Sequence, residues 1–245
     1  MKLLNLIKGL WLMFFSTKIF HPEDIFKGKR VAVIGPADSA YEKENGKYID
    51  EFDYIIRINK AAQSWTEEKS KYIGVRTDIL YHSFFENNES GGGKLDLNLF
   101  KNLGINYLIN PRTNFHAYRR TYNFYRKYRK EFPVYHLPNS YYKKMTIPFG
   151  NLRPTVGFTA LYSVLNSGCG TVFITGFTFF KTPYAKGYRD QLIDLEENKK
   201  HFKEQGIHDA DLEFNLFKKL LENHNCSTIQ LDNKLQSILN NYEKN

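Results

Sequence analysis

The sequence predicts an α/β protein, one domain with a mostly parallel central sheet flanked by helices, and three observations carry that prediction. Two β-rich runs end in glycine, Val31-Ala32-Val33-Ile34-Gly35 and Thr171-Val172-Phe173-Ile174-Thr175-Gly176, as buried parallel strands entering tight turns do. Strand-like runs at 52–59 and 106–109 alternate with helical patterns, as strand–helix–strand crossovers require. The 245-residue chain can bury roughly 70% or more of its unfolded surface in one core, and no repeat period divides it.

Taken in order, residues 1–27 read as an amphipathic N-terminal segment and 28–245 as the domain proper. The apolar stretch 3–15 is interrupted by Asn5, Lys8 and Gly9 and falls short of the about 20 apolar residues a membrane-spanning helix needs. No small-residue cleavage site follows it. Two readings remain for this segment: an in-plane anchor with Lys2, Lys8 and Lys18 near lipid headgroups, or a helix packed on the domain. The first strand (31–34) and the second (52–59) follow. A ligand site is expected beyond their carboxyl ends. The spacing after Gly35 is not G-x-G-x-x-G, so the dinucleotide fingerprint is absent and a dehydrogenase is not the expected activity. Residues 87–93, Asn-Asn-Glu-Ser-Gly-Gly-Gly, form a loop rather than a linker, because a strand pattern resumes at Asn106.

Residues 118–130 interleave cations with aromatics, and helical spacing sets Tyr118, Tyr122, Tyr125, Tyr128 and Phe132 along one side. The 35 Lys and Arg against 26 Asp and Glu favour an anionic surface as neighbour. No nucleic-acid module accompanies this charge, so nucleic acid is not an expected partner. The equally weighted alternative is a solvated helix with its aromatic side on the core. Residues 153–161, starting Arg-Pro-Thr-Val-Gly, read as a turn opening a helix of about ten residues, whose exposed N–H groups can cradle an anion.

His208-Asp209-Ala210-Asp211-Leu212-Glu213 opens the last strongly periodic helix. Imidazole titrates near neutrality, so His208 is a candidate general base. Asp209 and Asp211 also suit a plain helix start, complementing its dipole.

Together these segments resemble the eukaryotic-type sialyltransferases, the family defined by its sialylmotifs. The long motif is similar to Gly35 followed by Gly46-Lys47-Tyr48-Ile49-Asp50, then Asp53-Tyr54-Ile55-Ile56-Arg57-Ile58-Asn59-Lys60-Ala61, continuing at Gly74-Val75-Arg76-Thr77. The short motif resembles Pro154-Thr155-Val156-Gly157, Ala160-Leu161, Cys169 and Gly176-Phe177. The very short H-x-x-x-x-E motif is matched by His208 and Glu213. The chain departs from the family pattern at Pro36, where an asparagine is usual, at Ala62, where proline is usual, and at Val156, where threonine is usual. The third motif has no clean copy; Tyr184, Tyr188, Arg189, Asp190 and His201 are candidates to replace its phosphate-binding histidine. High Lys, Asn, Ile and Tyr content is compatible with an AT-rich bacterial or viral genome.

The resemblance implies a Rossmann-like (GT-A variant) sialyltransferase-like catalytic domain over 28–245. It implies an inverting, metal-independent transfer of sialic acid from CMP-sialic acid to a glycan hydroxyl. His208 is the expected base and Glu213 the residue that positions its helix. The expected donor-binding set is Gly35, Pro36, Ala37, Arg57, Asn59, Thr155, Val156, Gly157, Gly176, Phe177 and Tyr188, with Asn59 on the phosphate. No cofactor or metal is expected, and Asp209-Ala210-Asp211 is read as helix-start acids rather than a metal site. The expected acceptor is a galactoside of a surface glycan or glycolipid, with the enzyme peripheral on the inner face of the cell membrane. Alternatives are CMP-Kdo or another CMP-ulosonic acid as donor, or a non-catalytic member that binds a sugar nucleotide or glycan. Family members from the secretory pathway carry a disulfide between the long and short motifs; here Val31 stands near the place of Cys169's partner. Two cysteines, Cys169 and Cys226, suggest a reducing compartment, with Cys169 a small buried hydrophobe; whether Cys226 lies near it is left open.

Overall fold

The computed structural model describes residues 2–87, 91–129, 131–192 and 194–242, with side chains described for all of these but 2–4, 192, 199, 201–203, 205 and 242. Among the described residues, eight strands build one sheet: β1 (Lys18–Ile19), β2 (Arg30–Ile34), β3 (Tyr54–Ile58), β4 (Ile79–Tyr81), β5 (Tyr107–Asn110), β6 (Val134–His136), β7 (Thr171–Thr175) and β8 (Thr228–Leu231). Their order is β1-β6-β5-β4-β3-β2-β7-β8, and every pair is parallel. Parallel strands are covered on both faces, which is why the runs in β2 and β7 read as continuously apolar. Val31 and Val33 face one core, against Leu161 and Val164 of the Val156–Leu165 helix. Ala32 and Ile34 face the other, with Ile49, Phe52 and Ile73.

Chain direction therefore gathers Gly35, Asn59, Ser83, Arg112 and Gly176 at one end of the sheet. The strand order reverses between β2 and β7, and the crevice beyond such a switch point is where α/β sheets hold ligands.

The N-terminal helix, Lys2–Ser16, lies against the Phe115–Tyr128 helix. Leu12 is buried with Phe124 and Tyr125, and a Cβ on Gly9 would come within 2.5 Å of Arg126 Cγ. Arg129 donates to Asn5 Oδ1 at 3.0 Å. The opposite face leaves Ile7, Leu10, Trp11, Phe14 and Phe15 exposed, Phe14 at 80%. The two alternatives for this segment are thus not exclusive, since one helix both packs on the domain and presents an apolar stripe. A division after residue 27 does not match the fold, because β1 pairs with β6 and Phe20 and Phe26 are fully buried in the main core. Among the described residues, no helix is long and apolar enough to cross a membrane.

The aromatic side expected along 118–132 is displaced. Ala117, Thr121, Phe124 and Tyr125 are the buried stripe, Tyr118 is exposed, and Phe132 lies beyond the helix end. The cysteine reading is corrected outright: Cys169 and Cys226 form a disulfide, with Cα atoms 4.6 Å apart, leaving no free cysteine. Strand register explains the pairing. Thr171 of β7 lies opposite Thr228 of β8, and each cysteine sits two residues before its strand's partner. The argument from cysteine usage to a reducing compartment falls with this bond.

Candidate active site

The site begins where β2 and β7 end side by side. Gly35 N donates to Thr175 O at 2.8 Å, and Ala37 N to Gly176 O at 3.0 Å. A Cβ on Gly35 would stand 2.2 Å from the Gly176 carbonyl oxygen, and one on Gly176, whose φ is +73°, 2.6 Å from that of Gly35. Only glycine at both positions lets the two turns touch. Asp232, which sequence reasoning missed, pins the arrangement by accepting from Gly176 N at 2.8 Å and from Thr175 Oγ1 at 2.9 Å. No motif spacing marks Asp232; its role arises from β8 lying next to β7.

Pro36, Ala37, Gly176 and Phe177 line the cavity beyond these turns. Gly35 does not: it builds the wall from behind. Arg57 is the second correction to the expected donor set. Its guanidinium is wholly buried, with Nε donating to Thr77 Oγ1 at 2.7 Å and Nη2 to the carbonyl of Ile73 at 2.7 Å. It ties β3 to the 73–77 turn and does not line the cavity. Burial lowers its pKa to about 10, so it remains charged.

Beyond β3, Asn59 adopts a left-handed backbone (φ +50°) and accepts from Ser83 N at 2.9 Å. Tyr188 hydrogen-bonds Asn59 and stays protonated because burial raises its pKa. Of the proposed replacements for the third motif, Tyr184, Tyr188 and Arg189 line the cavity. Asp190 instead accepts from Gly187 N at 2.6 Å, and the side chain of His201 lies outside the described residues.

The far wall comes from two helix starts. Thr155 caps the Val156–Leu165 helix, its Oγ1 accepting from Phe158 N at 3.1 Å. The same hydroxyl donates to Glu213 Oε2 at 2.7 Å, while Thr155 N donates to Glu213 Oε1 at 2.5 Å. Glu213 sits in the first turn of the Ala210–Glu222 helix, which Asp209 caps by accepting from Leu212 N at 2.9 Å. Asp211 lies 3.8 Å from Lys181. Glu213 is buried at 2% exposure, and burial pushes its pKa up to about 8 against the two Thr155 donors.

His208 is held by a short ladder. Arg153 N donates to Ile207 O at 2.9 Å, and His208 Nδ1 donates to the Arg153 carbonyl. A carbonyl only accepts, so Nδ1 carries the proton and Nε2 is the basic nitrogen. Burial, with Arg112 and Arg153 nearby, lowers the imidazole pKa to about 4. Val156, Gly157, Arg112, Arg120 and Arg153 share the cavity with His208, Glu213 and Thr155. The three arginines were not picked out as site residues, since none falls inside a motif spacing. Among the described residues, no group of three His, Cys, Asp or Glu side chains is placed to hold a metal ion.

A parallel sheet with its cleft beyond the carboxyl ends of the central strands defines a Rossmann-like α/β protein. The sequence profile of glycosyltransferase family 29 (sialyltransferase) matches residues 7–225. The chain belongs to this family and is a glycosyltransferase. Its fold is similar to that of a mammalian sialyltransferase, at 17% identity, TM-score 0.55, covering 91% of this chain and 78% of that one. It is also similar to the sialyltransferase CST-II in complex with CMP, at 17% identity, TM-score 0.51, covering 84% and 88%. An α-2,3-sialyltransferase from Campylobacter jejuni in apo form aligns at 14% identity, TM-score 0.50, covering 84% and 76%. No curated protein sequence matches.

Proposed function

We propose that the chain transfers sialic acid from CMP-sialic acid to a hydroxyl of a glycan acceptor, a galactoside, with His208 as general base. The observation that carries this reading is the tautomer of His208. Its Nδ1 is committed to the Arg153 carbonyl, so Nε2 can take the acceptor proton inside the cavity that the Gly35 and Gly176 turns open. The acceptor oxygen attacks the anomeric carbon, its proton passes to Nε2, and the bond from that carbon to the phosphate oxygen breaks with inversion. CMP departs with the bonding electrons. Asn59, Tyr188 and Arg189 line the cavity and would meet its phosphate, and hydrogen-bond donors preorganised at the leaving oxygen stabilise the charge developing there. Glu213 holds Thr155, and with it the wall that faces His208. A relative of the same fold has been solved with CMP.

The exposed stripe on the Lys2–Ser16 helix supports peripheral attachment to a membrane, beside a basic helix carrying Arg119, Arg126 and Lys127. The deciding experiment is incubation with CMP-sialic acid and CMP-Kdo separately, following CMP release with and without galactoside acceptors. Acceptor-dependent release from CMP-sialic acid supports the proposal. Release from CMP-Kdo alone transfers the same chemistry to another ulosonic acid. CMP binding without release from either identifies a non-catalytic member.

A further inference from the structure

Among the described residues, four arginines line the cavity, and they fall into two groups. Arg189 acts on Lys60, Tyr184 and Tyr188, at the end that receives the nucleotide. Arg112, Arg120 and Arg153 act on one another, and Arg112 and Arg153 on His208. The distance between the groups follows from strand order. Arg112 lies just beyond β5, and β5 stands three strands from β2 (β5-β4-β3-β2). At ~4.8 Å per strand, about 14 Å separates the backbone at Arg112 from the Gly35 turn. Arg112 and Arg153 act on the base itself, whose Nε2 the acceptor hydroxyl must reach, and Arg120 stands close enough to act on both of them.

This end is built rather than incidental. Asn110 Nδ2 donates to Thr121 Oγ1 at 3.2 Å, Thr121 donates to His136 Nε2 at 2.9 Å, and His136 Nδ1 donates to the Arg112 carbonyl at 2.9 Å. All three side chains are buried, so the chain holds the backbone of Arg112 without drawing on its guanidinium. Arg112 Nε is buried and has no hydrogen-bond partner among the described residues. Arg120 is set by a bond to the Ser83 carbonyl at 3.1 Å and by stacking 4.7 Å over the Phe85 ring. The only carboxyl lining the cavity among the described residues is Glu213, whose two oxygens are taken by Thr155. Glu213, the carboxyl that acts on Arg112, is held protonated by burial, so the three cations repel one another, and a guanidinium with an open donor matches a carboxylate or phosphate oxygen.

We propose, resting on the transferase reading above, that Arg112, Arg120 and Arg153 form an anion subsite for the acceptor, so that the preferred acceptor sugar carries a carboxylate or a phosphate. The donor's own phosphodiester and carboxylate are two charges, and the nucleotide end already has Arg189. Four arginines against two donor charges leave a surplus of two positive charges, which an acidic acceptor neutralises.

The test compares acceptors with CMP-sialic acid as donor: a neutral galactoside, the same galactoside extended by a carboxylate-bearing sugar, the methyl ester of that compound, and a phosphorylated galactoside. A charged hydrogen bond at a partly buried site is expected to raise kcat/KM about 10- to 100-fold over the neutral counterpart. Preference for the free acid over its ester assigns the carboxylate, and preference for the phosphorylated sugar assigns the phosphate. In R112Q and R120Q the charged-to-neutral ratio should fall toward one, with CMP affinity retained. R112K, which keeps the charge but loses the planar fork, should recover part of the ratio and guards against misfolding of R112Q. Equal kcat/KM for charged and neutral acceptors overturns the subsite while leaving the transferase reading intact. Loss of CMP affinity with an unchanged acceptor ratio in R112Q and R120Q also overturns it, assigning the arginines to the donor. CMP binding with no release from any acceptor overturns both.

Discussion

Replacing Glu213 by Gln should flatten a pH dependence of stability that this one carboxyl creates. In the unfolded chain the group loses its proton near 4.5; in the folded protein burial holds the proton until about 8. Between those values the native state binds one more proton than the unfolded state, so stability falls as pH rises. The slope is about 1.4 kcal/mol per pH unit, and across the window from 4.5 to about 8 the loss sums to roughly 5 kcal/mol. For a chain of this size that corresponds to a fall in Tm of about 3–5 °C per pH unit. Gln has the shape of the protonated acid. Its carbonyl accepts from Thr155 N, and its amide donates to Thr155 Oγ1, which keeps a lone pair beside the Phe158 bond. Thermal unfolding of wild type and E213Q from pH 5 to 9 should therefore show curves that diverge as pH rises, with E213Q the flatter. Parallel curves would refute the reasoning and show that the Thr155 donors keep the carboxylate ionised. E213A gives the contrast, since it leaves a buried N–H and O–H unpaired at about 1–3 kcal/mol each.

Three further outcomes are expected. H208A should lower kcat by about 10²–10⁴-fold, the contribution of a positioned base, while isothermal titration finds CMP binding retained. In the wild-type pH profile, the acid limb of kcat/KM should fall near 4, because that parameter reports the free enzyme; the limb of kcat should lie higher, since the negative charge of bound substrate favours the protonated form of His208. Reducing the Cys169–Cys226 bond, or making C226S, should cost about 4 kcal/mol by the loop-closure estimate for 57 residues, visible as a lower urea midpoint.

Much of this was legible in the chain because backbone demands leave signatures in residue type. The glycines at 35 and 176 announce themselves by ending β-rich runs, and their mutual approach admits no Cβ. The His208–Glu213 spacing and the Thr155 cap were equally readable. Motif membership proved a poor guide to what touches the cavity. Asp50 accepts from Val75 N at 3.0 Å, Asp53 from Arg30 N at 2.8 Å, and Arg57 ties the same turn from within, so these long-motif residues hold β3 in place. What stayed hidden depends on register and strand order. Asp232 reaches Gly176, and Cys226 reaches Cys169, only because β8 lies beside β7 in one alignment. Arg112, Arg120 and Arg153 are far apart along the chain and converge through crossovers that no local pattern encodes.

The strand order has a practical corollary for engineering. The walls proposed above for the nucleotide come from segments after β2, β3 and β7, whereas Arg112 and Arg120 follow β5 and Arg153 follows β6. Because both groups stand beyond the ends of strands of one sheet, the short segment after β5 that carries Arg112 can be exchanged for a relative's without moving the turns after β2 and β7. Chimaeras made this way would exchange what is glycosylated while keeping the sugar nucleotide that is consumed.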